Sequence, residues 1–512
     1  QSRQSRNRSE AEIFHCSSPQ GVLCKPGHCP MSNFFKILAV LCAATISLGT
    51  RAALPTQSNI QYFRSNLGVA PAAASPLPDR FDSPRSLLWR TPIDSGQSTP
   101  IIAGGKIFLT TYREESKELA TLALDQKSGE VLWKRPVPVT RIETFHAQTG
   151  NAAVATPACD GQRLYVFFGS YGLICYDLAG NKIWEHRMGP FQDEYGAGSS
   201  PILVDGNVIL NQDHDTDSFL IAIDRSTGQQ IWKTARPDAV RSYSTPSVRT
   251  RNGQTELLVA GALELASYHP ATGEKLWWTH GLARIVIPVP VPSNDMIFMA
   301  SWAPGGDAGK RIALDPWDSA VAKWDTNKDG HLAKAEVSNR DVLDRFFRID
   351  LDQNGSLDGK EWNRHAEVFR RAQNAVVALR PSRGGELSES DVVWRYQRGA
   401  PYVATPLLDQ GILWIVKDGG IVTKLDAASG RLLQEERLPG LGSYYASPVT
   451  GDGKVYFASE PGMVSVLAND KPWKVISSHD FREKIYATPV IDGNSLYIRT
   501  GKALYAFRAL TE

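Results

Sequence analysis

The stretch 487–507, ATPVIDGNSLYIRTGKALYAF, contains the pattern that decides the fold of this chain. A hydroxyl residue followed by proline opens it, and an apolar run, a glycine-containing turn and a β-rich run follow. The same opening recurs at Thr99-Pro100, Thr156-Pro157, Ser200-Pro201, Thr245-Pro246, Thr405-Pro406, Ser447-Pro448 and Thr488-Pro489. Successive openings are 57, 44 and 45 residues apart in the first group and 42 and 41 in the second. Repeats of about 40–50 residues are typical of β-propellers and solenoids.

A turn at a fixed offset follows several of these openings. It combines an aspartate or proline with a glycine, and it occurs at 125–129 before Trp133, 224–228 before Trp232, 270–273 before Trp277, 426–430 before Gln434 and, shortened, at Asp177 before Trp184. Proline can open the first strand of a blade without losing a ladder donor. The turn then forms the hairpin between the third and fourth strands. The tryptophans could form a carbohydrate platform, but their regular spacing favours packing against the next blade.

The repeat count predicts eight blades. Pro246 and Pro406 are 160 residues apart, where three intervals of about 42 would need only about 126. We expect one further blade to start at Ile287-Pro288 and to be interrupted between its second and third strands. The strand at 86–93 should supply the missing fourth strand of the last blade, which closes the ring. The sequence therefore predicts an all-β, eight-bladed propeller of four-stranded blades, formed by 86–302 and 374–512.

The interruption at 303–373 contains two 12-residue EF-hand patterns, at 325–336 and 350–361. Calcium prefers six to eight oxygen ligands, which this loop supplies from positions 1, 3, 5, 7 and 12, with glycine at position 6 for the sharp turn. The predicted ligands are Asp325, Asn327, Asp329, His331 and Glu336 in the first loop and Asp350, Asp352, Asn354, Ser356 and Glu361 in the second. We therefore expect a small α-helical EF-hand pair with two calcium ions, inserted in blade 5.

The segments around these loops favour a compact pair. We expect an entering helix at 318–324, an amphipathic helix at 341–349 and an exiting helix at 360–373. The middle segment should serve both loops with a short helix or a tight break near Ser338. Leu332 and Leu357, at position 8 of each loop, should pair through a short β-bridge. The second loop has more acidic residues and fewer lysines than the first, so we predict that it binds calcium more tightly. Both ends of the insertion belong to one blade, which favours a structural brace over a calcium sensor.

The N-terminal region predicts export. Residues 31–52 combine a short basic segment, an apolar run of about 13 residues and small residues, which is typical of a secretory signal peptide. The apolar run is shorter than the roughly 20 residues that span a bilayer, so we expect no transmembrane segment in the mature chain. Residues 1–30 are interpreted as an upstream extension outside the mature protein and 53–85 as a linker. The predicted location is periplasmic or secreted.

Two cysteines remain beyond the signal peptide. Cys159 and Cys175 are predicted on the first and third strands of one sheet, about 9.6 Å apart, which is too far for a disulfide. We expect two buried free thiols. The net charge of +2 gives no electrostatic argument for nucleic acid binding.

The repeated opening and turn resemble the PQQ-like (quinoprotein-type) propeller repeat, over about 86–302 and 374–508. That family includes quinoprotein dehydrogenases and also non-catalytic propellers such as a periplasmic scaffold of outer-membrane protein assembly. Dehydrogenases of the family imply an adjacent pair of cysteines beside the quinone, and this chain has none. The resemblance therefore implies a binding or scaffold propeller with an envelope or outer-membrane protein as partner. A PQQ-dependent or other oxidoreductase, or a hydrolase or lyase in the funnel, is the alternative.

Two further groups of polar residues are candidate functional sites. His146 could face the central funnel, although a lone histidine is more often a hydrogen-bonded structural residue. The acidic run at 213–217, DHDTD, is compatible with a third metal site, but an exposed hairpin connection is the simpler interpretation. No catalytic signature motif occurs in the sequence, so we assign no catalytic residue.

Overall fold

The computed structural model describes residues 61–71, 76–304, 312–470 and 472–510, apart from the side chain of Phe369. These residues form eight antiparallel sheets of four strands, so the predicted all-β, eight-bladed propeller is confirmed. From first to fourth strand, the blades consist of Ile101–Ala103, Lys106–Arg113, Glu118–Asp125 and Val131–Val137 (blade 1); Ala158–Cys159, Arg163–Phe168, Gly172–Asp177 and Lys182–Arg187 (blade 2); Ile202–Val204, Asn207–Gln212, Phe219–Asp224 and Gln230–Ala235 (blade 3); Ser247–Arg251, Gln254–Gly261, Glu264–Tyr268 and Lys275–His280 (blade 4); Val291–Pro292, Ile297–Ser301, Ala375–Leu379 and Val392–Tyr396 (blade 5); Leu407–Asp409, Ile412–Lys417, Ile421–Asp426 and Leu432–Arg437 (blade 6); Val449–Gly451, Lys454–Ala458, Met463–Ala468 and Lys474–Asp480 (blade 7); and Val490–Asp492, Ser495–Arg499, Ala503–Arg508 and Leu87–Pro92 (blade 8).

The last blade closes the ring with a strand from the other end of the chain. Leu87–Pro92 pairs antiparallel with Ala503–Arg508, as predicted. A short additional strand, Gly385–Glu386, pairs in parallel with the outer strand of blade 4. The single-turn 3-10 helix Glu389–Asp391 then leads into the fourth strand of blade 5.

The Asp-x-x-x-Gly turns connect the third and fourth strands as predicted. In blade 1 the Asp125 carboxylate accepts hydrogen bonds from the backbone N–H groups of Lys127 and Ser128, at 2.9 and 2.8 Å. Gly129 has a φ of +74°, a conformation that glycine adopts without strain. A side chain there would also collide with Trp89, since an added Cβ would lie 2.4 Å from its ring. The glycine thus serves both the turn and the packing between blades.

The tryptophans pack against the neighbouring blade, which confirms the packing interpretation. Trp133 is 9% exposed, and its Nε1 donates to the carbonyl of Leu178 in blade 2 at 3.2 Å. Equivalent bonds run from Trp89, Trp184, Trp232 and Trp394 to the carbonyls of Gln126, Arg225, Pro270 and Ala427. Trp277 differs, because it donates to Glu256 of its own blade at 2.8 Å. Its neighbour, blade 5, has no Asp-x-x-x-Gly turn to accept the bond.

The hydroxyl before each proline also links neighbouring blades. The backbone N–H of Thr99 donates to Thr156 Oγ1 at 2.9 Å. The same bond runs from Thr156 to Ser200, Ser200 to Thr245, Val289 to Thr405, Thr405 to Ser447 and Ser447 to Thr488. The hydroxyl thus satisfies a buried donor that no strand partner reaches. This requirement explains why a hydroxyl and proline recur together.

Blade 5 starts two residues later than predicted. Its first strand, Val291–Pro292, follows Val289-Pro290 directly, as every other first strand follows its proline. The predicted start at Ile287-Pro288 is therefore wrong. Val289 lacks the hydroxyl that marks the other openings, so the sequence offered no marker to distinguish Pro290 from Pro288.

The segment predicted as a linker is packed on the propeller in its described part. The side chain of Arg64 is buried and donates to the carbonyls of Pro448 and Pro406, at 3.3 and 3.1 Å. Leu77 and Phe81 are buried against blades 7 and 8. The assignment of 53–85 as a linker is thus wrong for 61–71 and 76–85. The predicted extension at 1–30 and signal peptide at 31–52 lie outside the described residues.

The insertion between the second and third strands of blade 5 is helical. Its helices are α1 (Trp317–Trp324), α2 (Arg340–Leu343), α3 (Phe346–Ile349) and α4 (Gly359–Arg371), and a short β-bridge pairs Leu332–Ala333 with Ser356–Leu357. The expected single helix at 341–349 is divided, because the backbone at Arg345 leaves the helical region (φ −114°, ψ 1°). Val342, Phe346 and Ile349 all join one core with Trp324 and Trp362. Among the described residues, no helix is long and apolar enough to cross a membrane.

Cys159 and Cys175 lie on the first and third strands of blade 2, as predicted. Both are buried and free. Burial raises the pKa of the Cys159 thiol to about 11 and that of Cys175 to about 12. Both groups are therefore protonated and unreactive near neutral pH.

Candidate metal centre

The second predicted loop, 350–361, begins where α3 ends. Asp350 is 4% exposed, and its two carboxylate oxygens accept the backbone N–H groups of Asn354 (3.1 Å) and Gly355 (2.9 Å). Glu361 reaches back from the first turn of α4, where its Oε1 accepts the N–H of Leu351 at 2.6 Å. These bonds close the loop, so that the carboxylates of its first and last residues, Asp350 and Glu361, lie close together.

Three carboxylates meet in this second loop. One oxygen from each of Asp350, Asp352 and Glu361 lies within 4.8 Å of the others, the sole such group of three acidic, histidine or cysteine side chains among the described residues. Burial raises the pKa of the Asp350 carboxyl, and the adjacent Asp352 carboxylate raises it further. Burial also raises the pKa of Glu361. The protein thus compensates this negative charge poorly, and a cation would relieve the repulsion.

The first predicted loop, 325–336, has the same hydrogen-bond plan in a more exposed place. The Asp325 carboxylate accepts the N–H groups of Lys328 (2.6 Å) and Gly330 (2.9 Å), and Glu336 accepts that of Ala333 (2.9 Å). Hydrogen bonds from Thr326 and from the backbone hold the pKa of Glu336 below its usual range. The carboxylates of this loop are not gathered as closely as those of the second.

The two loops share one backbone geometry. Position 4 has a positive φ in both, +61° at Lys328 and +58° at Gln353, and position 6 is Gly330 (+80°) or Gly355 (+87°). Leu332 and Leu357 pair across the bridge, as predicted from position 8. The loops are therefore arranged as a back-to-back pair.

The remaining predicted ligands also lie within these loops. Asn327 Nδ2 donates to Asp329 at 2.9 Å, and Asn354 Nδ2 donates to Asp352 at 2.9 Å. His331 and Ser356 occupy position 7, where a backbone carbonyl is the expected ligand. The His331 ring is exposed, with its Nδ1 3.2 Å from the Asp329 carbonyl.

The second loop is also attached to the propeller, which the sequence did not indicate. Gln192, in the connection between blades 2 and 3, donates from Nε2 to the Leu351 carbonyl at 2.6 Å. Arg364 of α4 donates to the carbonyls of Pro237 (2.6 Å) and Asp238 beside blade 4. Both contacts join residues more than 120 positions apart, and neither side has a local motif that marks it.

The acidic run at 213–217 is buried at its start, so its interpretation as an exposed connection was wrong. Asp213 forms a buried ion pair with Arg236 at 2.8 Å. Asp215 forms another with Arg241, and Asp217 alone is exposed. Each buried charge is thus matched by an arginine, which explains the run without a metal.

A buried polar network lies beside these pairs. The Asp193 carboxylate accepts the Tyr243 hydroxyl at 2.6 Å and faces His214 Nδ1 at 3.4 Å. Burial, and then the charge of Asp193, raises the pKa of Glu143 to about 8. His146 lies nearby, hydrogen-bonded to Thr149 at 3.0 Å and stacked on Tyr195, which agrees with a structural role.

The central channel of the propeller is narrow. A cavity of about 120 Å³ is lined by the hydroxyl residues that precede the prolines, together with Phe63, Tyr243, Tyr445 and Tyr486. Sites for small organic molecules are usually about 300–1,000 Å³. The volume of this cavity lies below that range.

Comparison with known proteins supports the fold. A family profile described as outer membrane protein assembly factor BamB matches residues 82–214, 116–284, 216–384 and 362–512, which overlap and span most of the chain. The quinohemoprotein alcohol dehydrogenase ADH IIB of Pseudomonas putida is 26% identical over 172 residues, or 32% of this chain. The match spans only 24% of that relative's length.

Solved structures show the same architecture. BamB from Moraxella catarrhalis has a TM-score of 0.52 at 10% identity, covering 83% of this chain and 99% of that one. The computationally designed Ika8 protein has a TM-score of 0.50 at 9% identity, covering 82% and 99%. At such identities the likeness concerns the fold alone. The family profile, which matches well over half of the residues, shows that this chain belongs to the PQQ-like repeat family described as outer membrane protein assembly factor BamB.

Proposed function

We propose that this chain is a calcium-binding β-propeller that acts outside the cytoplasm as a non-catalytic binding or scaffold protein. The observation that carries the proposal is the group of Asp350, Asp352 and Glu361, whose carboxylate oxygens lie within 4.8 Å of one another. These residues stand at positions 1, 3 and 12 of a loop with glycine at position 6. That arrangement matches what a calcium loop requires.

The donor set favours calcium over other common metals. Every side chain proposed as a ligand in the second loop offers oxygen, from Asp350, Asp352, Asn354 and Glu361. Zinc prefers nitrogen and sulfur ligands, and magnesium usually keeps several waters. A loop that surrounds the ion with carboxylates, an amide and a backbone carbonyl suits the larger and more flexible coordination sphere of calcium.

Bracing is the role that the attachment of the insertion favours. Ser301 and Ala375, at its two ends, are directly paired in blade 5. Gln373 and Asn374 add hydrogen bonds to Leu282 and Ala303. An insertion held at both ends and docked through Gln192 and Arg364 has little freedom to move as a sensor. Calcium would stabilise it by binding the folded form alone.

The proposed location and partner class rest on family membership. The family is described by an outer membrane protein assembly factor, which supports a location outside the cytoplasm and an envelope protein as partner. Relatives of different activity share the fold, so the description supports the proposal without fixing the partner.

A PQQ-dependent or other oxidoreductase is the second candidate. The 172-residue similarity to a quinohemoprotein alcohol dehydrogenase favours it. The central cavity of about 120 Å³ and the single, separated cysteines Cys159 and Cys175 speak against it.

The test is calorimetric titration of chelator-treated protein with calcium, followed by addition of the quinone and an artificial electron acceptor. We expect saturable binding of two calcium ions, no change in quinone absorbance and no dye reduction with alcohols. Failure to bind calcium would overturn the metal assignment, and alcohol-dependent dye reduction would favour the second candidate.

A further inference from the structure

A cleft rich in arginine lies between the insertion and the propeller. It has a volume of about 530 Å³ and is lined from the propeller side by Arg241 and Arg284 and from the insertion by Arg345, Arg348 and Arg364. We call it the insertion cleft. Its volume is in the range of sites for small organic ligands.

Two of the five arginines are already engaged. Arg241 holds the Asp215 carboxylate through two bonds and contacts Glu194 at 3.2 Å. Arg364 donates to the backbone carbonyls of Pro237 and Asp238. The guanidinium groups of these two arginines already have protein partners, so their role in the cleft is structural.

The other three arginines lack a strong acidic partner among the described residues. Arg284 donates only from Nε, to the Pro304 carbonyl at 3.3 Å, which leaves both terminal nitrogens of its guanidinium without a described partner. Arg345 donates from one terminal nitrogen to the Asp341 carbonyl at 2.9 Å, and it lies 3.8 Å from the Asp341 carboxylate, which is 68% exposed. Arg348 is exposed and forms no ion pair within the described part of the chain.

The effect of these charges is visible on neighbouring groups. Burial lowers the pKa of Arg284, and the nearby Arg348 lowers it further. Burial and then Arg284, Arg345 and Arg348 lower the pKa of His365, which lines the same cleft, to about 4. The lining also contains two carboxylates, Asp341 and Glu361, so five arginines share this partly enclosed space with two acidic residues.

We propose that the insertion cleft binds a small oxyanion with at least two negative charges, such as a phosphorylated or polycarboxylated molecule, through Arg284, Arg345 and Arg348. Guanidinium groups present paired N–H donors that fit the oxygens of phosphate and carboxylate. Since the three side chains come from both the propeller and the insertion, the ligand would bridge the two parts. Leu351 and Glu361 of the second calcium loop also line the cleft, so the two sites are neighbours. Calcium bound by Glu361 would neutralise a carboxylate of the lining and would leave all the arginines in place.

Calorimetric titration of the full chain with inorganic sulfate, inorganic phosphate and succinate at low ionic strength tests the proposal. We expect saturable binding of one anion per chain in chelator-treated and in calcium-loaded protein. Stronger binding of the tetrahedral anions would identify a phosphorylated ligand, and stronger binding of succinate a carboxylated one. Absence of saturable binding of all three anions would overturn the proposal.

Variants on the insertion surface give the matched control. The double substitution R345Q/R348Q should weaken anion binding by about tenfold or more, since two charged donors are lost. R340Q removes an arginine of the same segment that is 84% exposed and pairs with Asp344, and it should leave binding unchanged. Equal weakening by both variants, or by neither, would contradict the assignment. Retained calcium binding in the double variant would show that the insertion still folds.

Discussion

The two loops of the insertion have one backbone plan and two different surroundings. Positions 3 and 5 are exposed in both loops, as Asn327 and Asp329 in the first and Asp352 and Asn354 in the second. Position 1 differs, because Asp325 in the first loop, 325–336, is only half-buried. The second loop, 350–361, starts at the buried Asp350 and is tied to the propeller through Gln192. The same motif is therefore held more rigidly in the second position. Fewer unfavourable rearrangements on binding should translate into higher affinity.

The number of acidic ligands does not explain the predicted order of affinity. Each loop has three acidic residues at the chelating positions 1, 3, 5 and 12. The additional acid of the second loop, Asp358, is the N-cap of α4 and accepts the N–H of Glu361 at 2.8 Å. The charge of Asp358 still acts on the ion at close range. The attachment of the second loop to the propeller through Gln192 should raise its calcium affinity more.

The largest expected effect is loss of the position-12 ligand. E361Q should weaken calcium binding at the second loop by about 100-fold, or roughly 2.8 kcal/mol, since a bidentate carboxylate is replaced by a neutral amide. Competition with a chromophoric chelator measures the affinity. The matched substitution E336Q should remove only the weaker binding step. If E336Q removes the tighter step instead, the assigned order is reversed.

A smaller effect is expected from breaking the attachment to the propeller. Q192L removes the hydrogen bond to the Leu351 carbonyl, which should cost about 1 kcal/mol and weaken the second site about fivefold. Titration calorimetry should show the first site unchanged. Equal weakening of both sites would mean that Gln192 supports the insertion as a whole rather than one loop.

The smallest effect concerns charge outside the direct ligands. D358N keeps an N-cap acceptor for α4 while it removes one negative charge, so the second site should weaken by about two- to threefold. The difference should shrink at high salt, because added ions screen the charge. A change of tenfold or more would identify Asp358 as a ligand of the ion.

Much of the fold was predictable from the sequence, because its signals are repeated. The Pro openings and the turns between third and fourth strands follow from local rules that recur in most blades. The strand at Leu87–Pro92 follows from the need to complete the last blade. Prediction failed where a marker was missing, as at Val289-Pro290, or where partners are distant. The burial of Arg64, Asp213 and Asp215 depends on groups that no local pattern identifies.

The candidate metal site was also predictable only in part. Loop positions and the bridge between Leu332 and Leu357 are set by spacing, so the sequence located them. The attachment through Gln192 and the positive insertion cleft arise only when the insertion is placed on the propeller. Sequence spacing gives no information on that placement.

Anomalous diffraction from crystals grown with one equivalent of calcium per chain tests the central claim most directly. The account predicts one strong calcium peak between Asp350, Asp352 and Glu361, and a second peak in the first loop only with excess calcium. A peak in the first loop alone at one equivalent, or no peak in either loop with excess calcium, would contradict it.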